Sequence, residues 1–182
     1  MPRRKLWPQV NAAKARLLIV GLAPGRTGAN RTGRPFTGDY AGDLLYATLT
    51  KLDLAQGEYR ADPNDGFALK GAMITNAVRC APPANKPTPE EIATCRPFLA
   101  ARLDALPSMR AVLALGSIAH ESVLRTVGLK PSLYRFGHGA ETALPDGRTL
   151  VSSYHCSRYN TQTRRLTAEM FETVMGRAKA IA

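Results

Sequence analysis

Acidic residues are scarce in this chain. Fourteen Asp and Glu face 25 Lys and Arg, leaving a formal charge of +11 and a pI of about 10.1. Cysteine is scarcer still, three in 182 residues. That is too few for a disulfide framework, and the odd count points to a reducing compartment, so the cytoplasm is the expected location. No apolar run approaches the ~18 residues a membrane span needs. The basic start Met1-Pro-Arg-Arg-Lys5 is not followed by an apolar segment of ~7–15 residues, so no secretory signal is expected. Membrane and secreted classes are excluded. Repeats, low-complexity tracts and linkers are also missing, which leaves a single domain over 1–182 with 1–15 as an N-terminal extension. What is present is a hydrophobic content of 45%, enough for a sizeable core. An excess of positive charge suits a polyanion, either nucleic acid or an anionic membrane surface; basicity kept for solubility is the alternative.

Four short apolar runs read as strands buried on both faces: Arg16–Gly21, Ala72–Val78, Ala111–Gly116 and Thr149–Ser152. Helical spacing lies between them. One helix covers Asp43–Leu52. Another starts at Thr88-Pro-Glu-Glu, with a Thr cap, Pro at the first position and acids in the first turn, and stops before Pro107. Ser117–Val127 forms a third, ended by Gly128, and Thr167–Ala180 a last one. Strands alternating with helices predict an α/β three-layer sandwich around a four-stranded parallel sheet. In such sheets ligands bind beyond the carboxyl ends of the strands, where the polar segments of this chain fall.

Three segments there carry chemistry. Gly21–Gly38 holds five glycines, as a loop needs where backbone must approach a ligand, and its vicinity supplies Asn30, Phe36 and Asp39: an amide, a stacking ring and a carboxylate. Gly28 and Gly33 have the interval of a P-loop, but Arg34-Pro35 follow where Lys-Ser/Thr is required, and Gly21, Gly25 and Gly28 lack the spacing of a dinucleotide fingerprint. A plain Gly-rich turn with Phe36 in the core would look the same. Asn76 lies in an apolar run, where an unpaired amide costs ~1–3 kcal/mol, so it needs either protein partners or a ligand. One acceptor and two donors match the O4/N3 edge of uracil. His155 sits where the fourth strand hands over to a loop in which Tyr154 and Tyr159 alternate with Arg158, Arg164 and Arg165, a pattern suited to nucleic acid. A structural histidine is the competing reading.

Taken together, GLAPG…GANRTGRPFTGD at 21–39, ITNAVRCAPPANKPTPEEI at 74–92, LALG at 113–116 and SYHCSRYNTQTRRLT at 153–167 resemble the uracil-DNA glycosylase superfamily, most closely its family five, with family four a nearer relative than the rest. The resemblance spans about Arg16 to Lys179. It implies an α/β/α sandwich that excises uracil from DNA and leaves an abasic site. On this resemblance Phe36 stacks on the flipped base, Ala23 contacts it through its backbone, and Asn76 reads its polar edge. His155 donates to uracil O2 as charge develops there, and either Asp39 or Asn30 holds the attacking water. The loop Cys156–Asn160, with Ser157, Arg158, Tyr159 and Asn160, enters the duplex and fills the gap left by the extruded nucleotide, with Arg164 and Arg165 beside it. The implied partners are uracil-containing DNA and free uracil as product, with the enzyme acting as a monomer. A broader glycosylase accepting hypoxanthine or xanthine, and a module that binds without cleaving, are the other readings.

The chain departs from the resemblance in its cysteines. Families four and five carry an iron–sulfur cluster on four of them, two in a CxxC ahead of the first strand. Cys80 and Cys95 match the other pair, but none of the residues before Arg16 is Cys, so no cluster, and no other cofactor, is expected. Cys80, Cys95, His138 and His155 lack zinc-ligand spacing, so no metal is expected either. The segment around Trp7 is expected to pack against the sheet instead. Cys156 stands where the family has Pro, and Arg164 where it has Gly. His138 is a candidate to support the site from behind, and His120 is given no role. Arg26, Arg31 and Arg34 are expected with Arg158, Arg164 and Arg165 at the DNA face.

Overall fold

The computed structural model describes residues 12–25 and 28–182; the expectations for Trp7 and Arg26 lie outside them. The elements run β1 (Leu17–Gly21), α1 (Ala29–Thr32), α2 (Tyr40–Lys51), β2 (Ala55–Gln56), β3 (Ala68–Leu69), β4 (Ala72–Asn76), α3 (Pro89–Asp104), β5 (Ala111–Leu115), α4 (Ser117–Thr126), β6 (Glu141–Ala143), β7 (Thr149–Ser153), α5 (Arg158–Gln162) and α6 (Ala168–Ile181). The main sheet has the order β4-β1-β5-β7-β6. Its first four strands are mutually parallel, with Leu17 beside both Ala72 and Ala111, and Ala111 beside Thr149.

Alternation along these strands builds two cores. Leu17 and Ile19 of β1 point to one face with α2 and α6, where Leu45, Leu49, Phe171 and Met175 are buried. Leu18 and Val20 point to the other, with Leu99 and Leu103 of α3 and Val123 of α4. This is the three-layer sandwich, and the four parallel strands are those read from the sequence. The sheet differs from that reading by a fifth strand, β6, antiparallel to β7. Three residues long and mostly exposed, it has no apolar run to betray it. Charge on such an edge guards against pairing with other chains, and Glu141 of β6 is also held by Arg177 of α6 at 2.7 Å.

Helix ends follow local chemistry. Thr88 caps α3 in a full capping box: its hydroxyl accepts from Glu91 N–H, and the Glu91 carboxylate accepts from Thr88 N–H. Thr167 caps α6 by accepting from Met170 N–H. The second helix begins earlier than its apolar spacing suggests, so that Asp39 occupies the N-cap of α2, yet its carboxylate makes no capping bond. An aspartate at a cap position that does not cap is held elsewhere, and the site shows where. Arg158–Gln162, read as loop, is a short helix capped by the Ser157 hydroxyl.

Candidate active site

The carboxyl ends of β1 and β7, with Asn85 from the segment after β4, open onto a cavity of about 400 Å³, in the range of small-molecule sites, and Asn76 at the end of β4 is not part of its wall. Its wall includes Leu22, Ala23 and Gly25 after β1, Phe36, Asp39 and Ala41 around the start of α2, and His155, Ser157 and Arg158 after β7.

Glycine shapes this wall by leaving room. A Cβ on Gly25 or Gly28 would overlap the Asp39 carboxylate. Gly28 is buried beside that carboxylate, and what it supplies there is space. The two glycines thus admit a side chain of the protein, where the sequence suggested only a bound ligand. Asp39 accepts a hydrogen bond from Ala29 N–H, but burial dominates and raises its pKa above the ordinary value. Asn30, on α1, is exposed and does not line the cavity.

Gly21 plays the same part for Asn76 and Phe36. A Cβ there would lie 2.5 Å from the Asn76 side-chain oxygen and 2.7 Å from the tip of the Phe36 ring, so both converge on bare backbone. That oxygen is buried and has no hydrogen-bond partner. Gly21 and Asn76 face each other across the β1–β4 ladder. Phe36 belongs to the core and to the cavity wall at once, 8% exposed. It has φ +59°, a conformation uncommon for Phe that costs roughly 1–3 kcal/mol.

His155 lies opposite, its ring centroid 6.2 Å from that of Phe36. Burial lowers its pKa to about 4, so the imidazole is neutral at pH 7. Gly116, at φ +94°, stands beside it, and a Cβ there would lie 3.4 Å from the His155 Cβ. The backbone on both sides of His155 is fixed. The Tyr154 N–H donates to His138 Nδ1 at 3.2 Å, with the two rings stacked, and Asn160 Nδ2 donates to the His155 carbonyl at 2.8 Å. His120, given no role by the sequence, bridges Ser152 Oγ and the Tyr134 carbonyl at 2.8 and 2.9 Å.

At the rim, Arg158 packs over the Tyr40 ring and Arg165 over the Tyr154 ring, at 5.1 and 4.8 Å. Tyr159 is 70% exposed. Arg164 is exposed in a left-handed conformation, φ +57°, at the position where glycine was expected. Cys156 is fully buried, and burial pushes its thiol up to about 12; it packs in the core and does not enter the DNA-facing segment.

One assignment is corrected outright. Arg34, expected at the DNA face, is completely buried and paired with Asp65. The sequence also passed over Asn85, which lines the cavity from a turn at Pro83–Asn85 where both Ala84 and Asn85 take positive φ. The run PPAN was the available signal.

The donor set does not fit a four-cysteine cluster. Cys80 is exposed, Cys95 is buried on α3 and accepts from Arg79 N–H at 3.4 Å, and Cys156 lies in the core against the opposite face of the sheet. Three thiols so placed cannot supply four ligands at one point.

The family model of the uracil DNA glycosylase superfamily matches residues 7–179. The chain is 50% identical over 175 residues to a type-5 uracil-DNA glycosylase of Thermus thermophilus, covering 96% of this chain and 80% of that protein. It is 44% identical to a type-5 uracil-DNA glycosylase of Mycobacterium bovis, covering 96% of this chain and 66% of that one. A type-4 uracil-DNA glycosylase of Pyrobaculum aerophilum is 33% identical over 69% of this chain and 57% of its own length. A match over nearly the whole sequence, together with this site at the strand ends, places the chain in the uracil-DNA glycosylase superfamily.

Proposed function

We propose that this protein hydrolyses the N-glycosidic bond of deoxyuridine in DNA, releasing uracil and leaving an abasic site. The observation that carries the reading is the buried, unpartnered oxygen of Asn76 beside the Phe36 ring. A buried acceptor without a donor is costly, and uracil N3–H supplies one in the plane that a stacked ring imposes. Cytosine presents a lone pair at N3 and an amine at N4, so it would bury mismatched groups, which such a site rejects strongly.

The remaining roles follow from charge. As the bond breaks, negative charge develops on uracil O2 and positive charge on the sugar. A neutral His155 donates its N–H to O2 without first acquiring a proton, a form of electrostatic stabilisation whose removal typically costs ~10²–10³ in rate. Asp39, facing the cavity, orients the water and in its carboxylate form favours the cationic sugar; its raised pKa makes it a better base. Asn30, outside the wall, is the weaker candidate for the water. Among the described residues no lysine lines the cavity, so the enzyme is monofunctional, without a Schiff-base lyase step. The target must leave the stack to reach this depth, with the Ser157–Asn160 segment occupying the duplex and Arg158, Arg164 and Arg165 on phosphates. We take the protein to act as a cytoplasmic monomer, with no step routed through a metal.

A second reading has its own observation: Leu22 and Ala23, both apolar, line the cavity, which leaves room for other deaminated bases. Incubating the protein with labelled duplexes containing uracil, hypoxanthine or xanthine, followed by alkali, separates these. Scission at uracil alone supports the specific enzyme, and scission at several bases the broad one. Binding without scission would mean a recognition module.

A further inference from the structure

Among the described residues Arg34 is the largest completely buried side chain, and its surroundings are built for it. Its two terminal nitrogens donate to the two oxygens of Asp65 at 2.7 and 2.8 Å, and its Nε donates to the Thr37 hydroxyl. The rings of Tyr46, Tyr59 and Phe67 surround the guanidinium with centroids 5.5, 5.2 and 5.9 Å from its carbon. Asp65 is itself fixed, accepting the backbone N–H of Arg60 and of Phe67, each at 2.9 Å. Such a cation is unavailable to phosphate. Nor does stability explain it, since a buried ion pair is often no better than well-packed apolar residues. What a bidentate pair supplies is fixed geometry.

The geometry it fixes is that of Phe36. Arg34 and Thr37 flank this residue, and the hydroxyl of Tyr46 donates to the carbonyl of Pro35. Phe36 alone of the four residues 34–37 has a positive φ, a conformation that persists only where the surroundings enforce it. We propose that Arg34 and Asp65 are a positioning pair, which anchors residues 34–37 to the 57–69 segment and so sets the angle at which the Phe36 ring meets the substrate base. The base-stacking part rests on the function proposed above. The segment bearing Asp65 contributes no residue to the cavity wall, yet becomes part of the site through this contact.

The test is Asp65→Asn in the full chain, labelled with para-fluorophenylalanine at its five Phe positions, the Phe36 resonance being identified with Phe36→Leu. The expected result is a variant with wild-type far-ultraviolet circular dichroism, a displaced or broadened Phe36 resonance, a shift at Phe67, whose N–H and ring adjoin the pair, with the other three signals unchanged, and single-turnover uracil excision at least tenfold slower. Tyr46→Phe, which removes the hydroxyl that holds Pro35 and adjoins Thr37 and adds a sixth labelled ring, should move the same Phe36 resonance with a two- to fivefold loss, and it serves if Asp65→Asn does not fold. An unmoved Phe36 resonance in the folded variants overturns the proposal, whatever the rates. If the wild-type protein excises no uracil, the functional reading fails while the resonance still decides the positioning.

Discussion

Protonation separates the two groups that face each other across the cavity. Burial holds His155 near 4 and lifts Asp39 above its ordinary value. At pH 7 the first is therefore neutral. The single-turnover rate should decline toward acid as Asp39 takes a proton, and should do so at a higher pH than an ordinary aspartate would set. A rate falling tenfold per unit above pH 6.5 would instead mean that an imidazolium is the working donor. Removing either side chain, as Asp39→Ala or His155→Ala, should slow excision at least tenfold with the fold retained by circular dichroism. The space argument makes a sharper prediction for Gly28. A methyl added there overlaps the Asp39 carboxylate. Gly28→Ala should therefore approach the activity loss of Asp39→Ala, read by the same single-turnover assay. Normal activity would show that the carboxylate can move aside without consequence.

Elements whose signals are local could be read directly from the chain. The four parallel strands announced themselves as short apolar runs, and Thr88-Pro-Glu-Glu as a helix start, because capping chemistry lies within four residues of the helix end. Thr88→Ala should accordingly lower stability by about 0.5–2 kcal/mol, read as a fall of a few degrees in the thermal midpoint, and leave excision unchanged. Elements defined by distant partners were not legible. Strand β6 has no apolar alternation and exists because β7 offers an edge to Glu141–Ala143. Arg34 sits among glycines and other arginines, like a phosphate ligand, and only Asp65, 31 residues on, reveals it as an interior charge. The site shows the same division. Phe36, Asp39, Asn76 and His155 were legible from residue type at strand ends, whereas Asn85 depends on a turn whose positive φ values a Pro-Pro-Ala-Asn run only hints at.

At the scale of the molecule, the charge of +11 divides into cations that are free and cations already used. Arg34 is spent on Asp65, and Arg177 is paired with Glu141 at the far edge of the sheet. Arg158, Arg164 and Arg165 remain exposed beside the cavity, two of them braced on the Tyr40 and Tyr154 rings. Counterion release sets how such residues show themselves: the logarithm of the affinity for duplex DNA falls linearly with that of salt, with a slope of about −0.9 per phosphate neutralised. If these three touch phosphates, the slope should be about −3 or steeper. It can be measured by anisotropy on a uracil-containing duplex with the Asp39→Asn protein, so that no product accumulates. Replacing Arg158, Arg164 or Arg165 with Gln should each flatten it by about one and weaken binding similarly on uracil-containing and undamaged duplexes. Asp65→Asn should leave the slope where it was, since the arginine it unpairs is enclosed by three rings and faces no solvent. A slope that responds to Asp65 and not to the exposed arginines would invert this division of charge.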